Sequence, residues 1–140
     1  MKAFLRKTFS TGNYDASVSA SLLFMRVVIG LFFVFTHGYG KFQMLLSGDI
    51  MFPGVLGLSP AVSLTLATVA EFLAAILLIF GFATRFSSFL LMVTMLVAGL
   101  IFHYSDPFSA KELALVYAAI FAVFTYLGAG KYSIDSKVQV

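Results

Sequence analysis

Three basic or titratable side chains, Arg26, His37 and Lys41, occur within the first long hydrophobic stretch of the chain. If that stretch is a helix with 100° between successive residues, all three lie within about 60° of one another and share a face with Gly30. Charged groups on an otherwise apolar helix are costly in lipid, so they should face other helices or a polar cavity. The pattern therefore predicts a functional site on this face of the first helix.

The composition is that of an integral membrane protein. Of the 140 residues, 61% are hydrophobic and only 11% are charged, whereas a soluble domain typically has about 25% charged residues. The net charge of +3 comes from basic residues scattered at the ends of hydrophobic segments, which suits membrane topology better than nucleic-acid binding. Cysteine is absent, which excludes disulfides, thiolate metal ligands and CxxC redox chemistry.

The hydrophobic residues form four segments, each long enough to cross the hydrocarbon core of a bilayer as a helix. We therefore predict an all-α fold, an integral membrane four-helix bundle over residues 20–128, preceded by a polar segment, 1–19, and followed by a short tail, 129–140. The connection from Gln43 to Ser59 contains glycine and proline but also many apolar side chains, so we expect it to fold over the mouth of the bundle or to lie in the interface. The predicted helices are residues 20–42, 60–83, 86–103 and 111–127.

The distribution of basic residues predicts the orientation of the bundle. Four spans place both termini on one side of the membrane, together with the connection between the second and third helices. Six basic residues would lie on that side and only Lys41 and Lys111 on the other, so the positive-inside rule predicts that both termini are cytoplasmic. The six are Lys2, Arg6, Lys7, Arg85, Lys131 and Lys137.

Five positions, including His37 and Lys41, form a candidate buried polar cluster. Counting about 1.5 Å of rise per residue from the cytoplasmic ends places them all in the outer half of the bilayer. They come from all four predicted helices, as a site inside a bundle requires. The cluster consists of His37, Lys41, Glu71, His103 and Glu112.

Arg26 and Glu71 are the opposite charges that could form a structural ion pair, although about ten ångströms of depth separate them and Glu71 could equally serve His37 or Lys41. The histidines and glutamates invite a metal site, but no pair has the close helical spacing of HExxH. We predict no metal site.

The polar positions, taken together in order, resemble the DoxX family. They are Arg26-Val-Val-Ile-Gly30, His37-Gly38, Lys41-Phe42, Glu71, Gly81-Phe-Ala-Thr-Arg85, His103, Glu112 and Gly128-Ala-Gly130-Lys-Tyr-Ser133-Ile-Asp135. The resemblance covers about residues 20–135. It implies a four-helix protein of the bacterial inner membrane, of the type named after a subunit of thiosulfate:quinone oxidoreductase, in which Arg85 is a family-type residue of the cytoplasmic turn. It assigns no catalytic step to any residue.

Three functions are compatible with these features. The first is a quinone-interacting or anchoring subunit of a membrane redox assembly, in which His37 or Lys41 binds a quinone carbonyl and Glu71 or Glu112 exchanges a proton. No intrinsic cofactor is evident, so a protein partner would supply the electrons. The second is a non-catalytic scaffold whose buried charges serve packing. The third is a small proton-coupled permease, which would need a homo-oligomer.

Overall fold

The computed structural model describes residue 6 and residues 8–138. That part of the chain is all helical, without strands, and the expected all-α fold is confirmed. Four helices are long and apolar enough to cross a membrane: α1 (Ala16–Ser47), α2 (Pro60–Phe80), α3 (Thr84–Phe102) and α4 (Phe108–Leu127).

Local sequence signals determine where α1 begins and ends. The Asp15 carboxylate caps its first turn by accepting the backbone N–H of Val18 at 2.8 Å, as N-cap residues do. At the other end, Gly48 adopts a left-handed conformation with φ 73°, which glycine tolerates without steric cost. As a result α1 is longer at both ends than the predicted 20–42.

The second helix begins at Pro60, where the missing backbone N–H costs nothing, and the hydroxyl of Ser59 accepts the N–H of Val62. Gly81, which follows its last residue and has φ 67°, terminates the helix. The observed end at Phe80 is three residues before the predicted 83, and α3 begins at Thr84 rather than 86. The helix α4 begins three residues before the predicted 111, directly after Pro107.

The core consists of large apolar side chains from all four helices. Close packing between α1 and α2 and between α3 and α4 gives two helix pairs, and α2 and α3 join the pairs. Among the described residues, five large apolar side chains are essentially without solvent exposure: Phe33, Leu64, Leu78, Leu91 and Phe121.

At the end of the bundle that carries both termini, three charged side chains bind backbone groups. The buried Arg26 guanidinium donates to the carbonyl oxygens of Tyr132, at 2.7 Å, and Leu78, at 3.4 Å. The Asp135 carboxylate accepts the N–H groups of Ala83 and Thr84 at 2.6 and 2.9 Å and so caps α3. The tail after α4 is therefore part of the packed structure.

Arg85 joins that end to α4 and to the N-terminal segment. Its guanidinium donates to the last carbonyl oxygens of α4, at Thr125, Tyr126 and Leu127, and to the carbonyl of Ser10. A cation in this position satisfies carbonyls that a helix leaves free at its C-terminus and interacts favourably with the helix dipole.

Candidate functional site

Two π-helical turns bring α1 and α2 together near the middle of the bundle. The turn Val34–Gly38 lies in α1 and the turn Val69–Leu73 in α2. Gly38 forms the contact: a Cβ atom there would lie 2.6 Å from the carbonyl oxygen of Glu71. Such turns insert one extra residue into a helix and occur frequently at functional sites. Here they carry His37 and Glu71.

An ion pair joins the same two helices one turn further along α1. The Lys41 ammonium lies 2.7 Å from Oε2 of Glu71 and also donates to the carbonyl oxygen of His37 at 3.1 Å. The Glu71 side chain is 6% exposed and that of Lys41 is 21% exposed. A paired carboxylate at this depth is thus held in place with one of its oxygens bonded to a cation.

Aromatic rings connect α1 to α4 beside the ion pair. The His37 ring stacks on Phe33 with 4.7 Å between centroids, and the edge of Tyr117 from α4 meets both rings. Phe33 also packs edge-on against Phe121 at 4.9 Å. These contacts fix the orientation of His37 by packing it on two aromatic neighbours, Phe33 and Tyr117.

A cavity of about 490 Å³ lies between the helices on the side of the ion pair. Its volume and mostly apolar lining with a few convergent polar groups are typical of small-molecule sites. The residues from Phe52 to Leu58 cover it from the α1–α2 connection, which Ser63 holds by accepting the N–H of Val55 at 3.0 Å. The polar side chains that line it are His37, Lys41, Ser63, Glu71, Thr94, His103 and Tyr117.

His103 lies at the rim of this cavity. Its Nδ1 atom is 2.6 Å from a carboxylate oxygen of Asp106, and both side chains are partly exposed. The pair connects the lining of the cavity with the turn between α3 and α4. The adjacent Lys111 donates to the carbonyl of Tyr104 at 2.7 Å and does not line the cavity.

The structure therefore brings together four members of the predicted polar cluster: His37, Lys41, Glu71 and His103. It places Glu112 elsewhere. That side chain is exposed on α4 and is not part of the cavity lining, so its inclusion in the cluster was wrong. Depth alone suggested the position, whereas the helical phase of α4 turns it away from the bundle interior.

The suggested ion pair between Arg26 and Glu71 is also wrong. Arg26 binds the carbonyls of Leu78 and Tyr132 instead, and Glu71 binds Lys41, one of the two alternatives left open by the sequence. The depth difference between the two residues explains why they find separate partners. Among residue 6 and residues 8–138, no three His, Asp or Glu side chains converge as a group that could hold a metal ion.

Three polar contributors were not recognised as site residues from the sequence: Ser63, Thr94 and Asp106. Ser63 and Thr94 line the cavity but resemble ordinary hydroxyl residues of apolar helices, which commonly bond back to the preceding turn, as Thr94 does to Leu90. Asp106 precedes Pro107 and so has the sequence signature of a turn residue. The sequence feature that could have identified Asp106 as a site residue is its position three residues after His103.

Comparison with known proteins relates this architecture to a family. The sequence model of the family described as DoxX matches residues 21–104. An uncharacterized protein of Haemophilus influenzae is 34% identical over 123 residues, which cover 83% of this chain and 89% of the relative. The "Putative oxidoreductase CatD" of Bacillus subtilis is 34% identical over 94 residues, covering 67% of this chain and 68% of that protein. No solved structure gives a significant match. Since the family match spans more than half of the chain and four apolar helices are present, this chain belongs to the DoxX family and is a multi-pass membrane protein.

Proposed function

We propose that the chain binds the ring of a quinone in the cavity between its helices and serves as the membrane component of a redox assembly. The observation that carries the proposal is the Lys41–Glu71 pair on the wall of a largely apolar cavity of about 490 Å³. A flat, neutral ring with polar carbonyls suits such a lining, because most of its contacts are apolar and few are polar. One relative bears the name of an oxidoreductase.

Lys41 is the residue that would bind a quinone carbonyl. An ammonium has three N–H donors, and the two bonds to Glu71 and to the backbone of His37 leave one for a ligand. Since Lys41 is already neutralised by Glu71, the site favours a neutral carbonyl acceptor over a second carboxylate. The rings of His37 and Tyr117, which meet edge-on, both line the cavity and offer aromatic contacts beside it.

Glu71 is the residue that would exchange protons. Conversion of a quinone to a quinol consumes two electrons and two protons, so a carboxyl group within reach of the carbonyl is required to pass protons on. The partly exposed His103 and Asp106 at the cavity rim give that proton a route to water. Glu112, turned away from the cavity, takes no part.

The electrons would come from a protein partner, because the chain has no cysteine for an iron–sulfur cluster or a redox disulfide. We place the assembly in the inner membrane of a bacterium, with both termini cytoplasmic, and its electron donor in the class of thiosulfate- or sulfur-oxidising reactions. Recovery of a redox protein in mild-detergent extracts of native membranes, identified by mass spectrometry, would support this part of the proposal. Extracts that yield only the chain itself would contradict it.

Quinone binding can be tested on the purified chain in lipid nanodiscs. We expect a quinone to raise the thermal stability of the wild type, since a ligand that binds the folded state stabilises it. Lys41→Met and Glu71→Gln should each weaken binding about tenfold, as expected for loss of a hydrogen bond to a charged group. Lys111→Met and Glu112→Gln are matched controls at exposed or non-lining positions and should leave the affinity unchanged. Equal affinity in all four variants would contradict the proposal.

A further inference from the structure

The two helix pairs separate toward the end of the bundle that carries the α1–α2 connection. There, Pro60–Thr68 of α2 packs on Tyr39–Ser47 of α1, and Ala98–Phe102 of α3 packs on α4. The joining contacts between α2 and α3 are made mainly by the later part of α2, from Val69 to Phe80. The cavity occupies the space between the separated ends of the pairs.

This space reaches the outer surface of the bundle. Leu66 of α2 and Leu113 of α4 both line the cavity, yet each is 56% exposed, and Phe102 of α3 lines it while half exposed. A side chain that borders the cavity and also reaches the outside marks a lateral opening. Leu66 and Leu113 lie more than one helical turn inside their membrane-spanning helices, and Phe102 ends α3, so the opening lies at the edge of the hydrocarbon region of the bilayer.

The walls between the opening and the ion pair are suited to a hydrocarbon chain. They are built from apolar side chains of α2, α3 and α4, including Ala67, Val97, Ala98 and Ala114. The small side chains leave room without introducing polar groups. A ligand that places a polar ring at Lys41 therefore has an apolar path from that ring into the lipid.

We propose that the lateral opening binds the isoprenoid tail of the quinone and that the ligand enters the site from the bilayer. The inference rests on the proposed function, because it concerns the tail of the ring that Lys41 and Glu71 hold. The tail contributes to affinity through van der Waals contacts between its methylene groups and the walls, which replace looser contacts with lipid. The substrate class is accordingly a long-chain, membrane-dissolved quinone rather than a water-soluble one.

The test compares two ligands with the same ring, one without a tail and one with two isoprenoid units. Dissociation constants are measured in the same nanodiscs for the wild type and for variants that narrow the opening, Leu66→Trp and Leu113→Trp. Leu73→Trp and Val116→Trp are matched controls, because these positions are similarly exposed on α2 and α4 but do not line the cavity. For each ligand, the dissociation constant of the variant is divided by that of the wild type, so that the partition of the ligand into lipid cancels.

We expect Leu66→Trp and Leu113→Trp to weaken binding of the tailed ligand about tenfold or more, since the larger ring would occupy the space of the tail. Binding of the tail-less ring should stay within about twofold of wild type, and the controls should change neither constant. Equal effects on both ligands, or none on either, would overturn the inference while leaving the proposed function standing. If the wild type binds neither ligand, the proposed function fails and the inference with it.

A second variant guards against misfolding of the tryptophan substitutions. Leu113→Ala removes wall contacts instead of filling the opening, and an exposed leucine on a lipid-facing helix tolerates truncation well. It should weaken binding of the tailed ligand about threefold, because van der Waals contacts with the wall are lost, and leave binding of the tail-less ring unchanged. A Leu113→Ala variant with wild-type affinity for the tailed ligand would count against a tail-binding groove.

Discussion

The charged side chains Arg26, Lys41 and Glu71 have identifiable partners in the bundle, and these pairings make separate energetic predictions. Lys41 and Glu71 contact each other directly at 2.7 Å, whereas Arg26 binds backbone carbonyls. Residues in direct contact show coupling in a double-mutant cycle, and residues without shared partners give nearly additive effects. A double-mutant cycle of Glu71 with Lys41 and one of Glu71 with Arg26 therefore have different expected outcomes.

We predict that Glu71→Gln lowers the free energy of unfolding by about 3 kcal/mol, because removing one partner of a buried pair leaves the other uncompensated. In combination with Lys41→Met the two losses should be less than additive by about 1 kcal/mol or more. In combination with Arg26→Lys they should add to within about 0.5 kcal/mol. SDS titration in mixed micelles measures the free energy of unfolding of the single variants and of both double variants. Strong coupling between positions 26 and 71 would contradict the pairing seen in the structure.

Arg26 should be intolerant of replacement by lysine. Its guanidinium reaches two carbonyl oxygens on different segments, Leu78 and Tyr132, from a position with no solvent exposure. A lysine keeps the charge but loses the planar fork that serves both acceptors. We expect Arg26→Lys to cost about 2 kcal/mol of unfolding free energy, as for loss of a charged hydrogen bond. The exposed Lys137→Arg change is the control and should have no measurable effect.

At the scale of elements, the contact between the two π-helical turns depends on the absence of a side chain at Gly38. A Cβ atom there would lie 2.6 Å from the Glu71 carbonyl oxygen and 2.8 Å from the Cα atom of Phe72. Both are backbone atoms, so relief requires α1 and α2 to move apart. That movement would also lengthen the Lys41–Glu71 contact.

We predict that Gly38→Ala lowers the free energy of unfolding by about 2 kcal/mol, as overpacking typically does. Quinone affinity should fall with it. Gly40→Ala is a close control two residues away, since a Cβ atom at that position meets nothing within 4 Å. In a helix, that change should be neutral or stabilising by up to about 1 kcal/mol. Similar losses in both variants would show that helix contact at Gly38 is not the cause.

The start of α1 gives a pH-dependent prediction. The backbone N–H of Val18 and the hydroxyl of Ser17 bond the Asp15 carboxylate and hold its pKa below the ordinary value. A carboxyl whose pKa is lower in the folded state stabilises that state above its unfolded pKa, and the contribution is lost as the pH falls through the folded pKa.

Asn also caps helices but does not titrate there. We therefore expect the melting temperature of wild type to exceed that of Asp15→Asn near neutral pH, and the difference to shrink in acid as the pH falls through the lowered folded pKa. Thermal melts of both proteins across the acid range provide the measurement. A difference that persists unchanged in acid would mean that the charge of Asp15 is not responsible.

At the scale of the whole molecule, the four spans were predictable because each is a long apolar run between turn-forming residues. The grouping of His37, Lys41 and Glu71 was accessible in part, since helical phase puts the first two on one face of α1. The partners of Arg26 and Arg85 could not be predicted, because they are backbone carbonyls of the tail and of α4. The type of a residue does not indicate whether its backbone carbonyl accepts such a bond. The π-helical turns and the phase of Glu112 likewise depend on how neighbouring helices pack.

The structure shows that residues 11–14, before α1, and residues 127–130, at the end of α4, meet on one side of the bundle: the N–H of Gly130 donates to the carbonyl of Thr11 at 3.1 Å, and the hydroxyl of Tyr14 donates to the carbonyl of Leu127. Which side this is follows from the basic residues, which predict the cytoplasm. Because the native chain has no cysteine, single cysteines can report on it directly. In intact cells, a membrane-impermeant thiol reagent should label Asp49→Cys, on the connection over the cavity, and should label Lys137→Cys only after the membrane is permeabilised. Labelling of Lys137→Cys in intact cells would contradict the predicted orientation and, with it, the side of the membrane on which His103 and Asp106 are proposed to exchange protons.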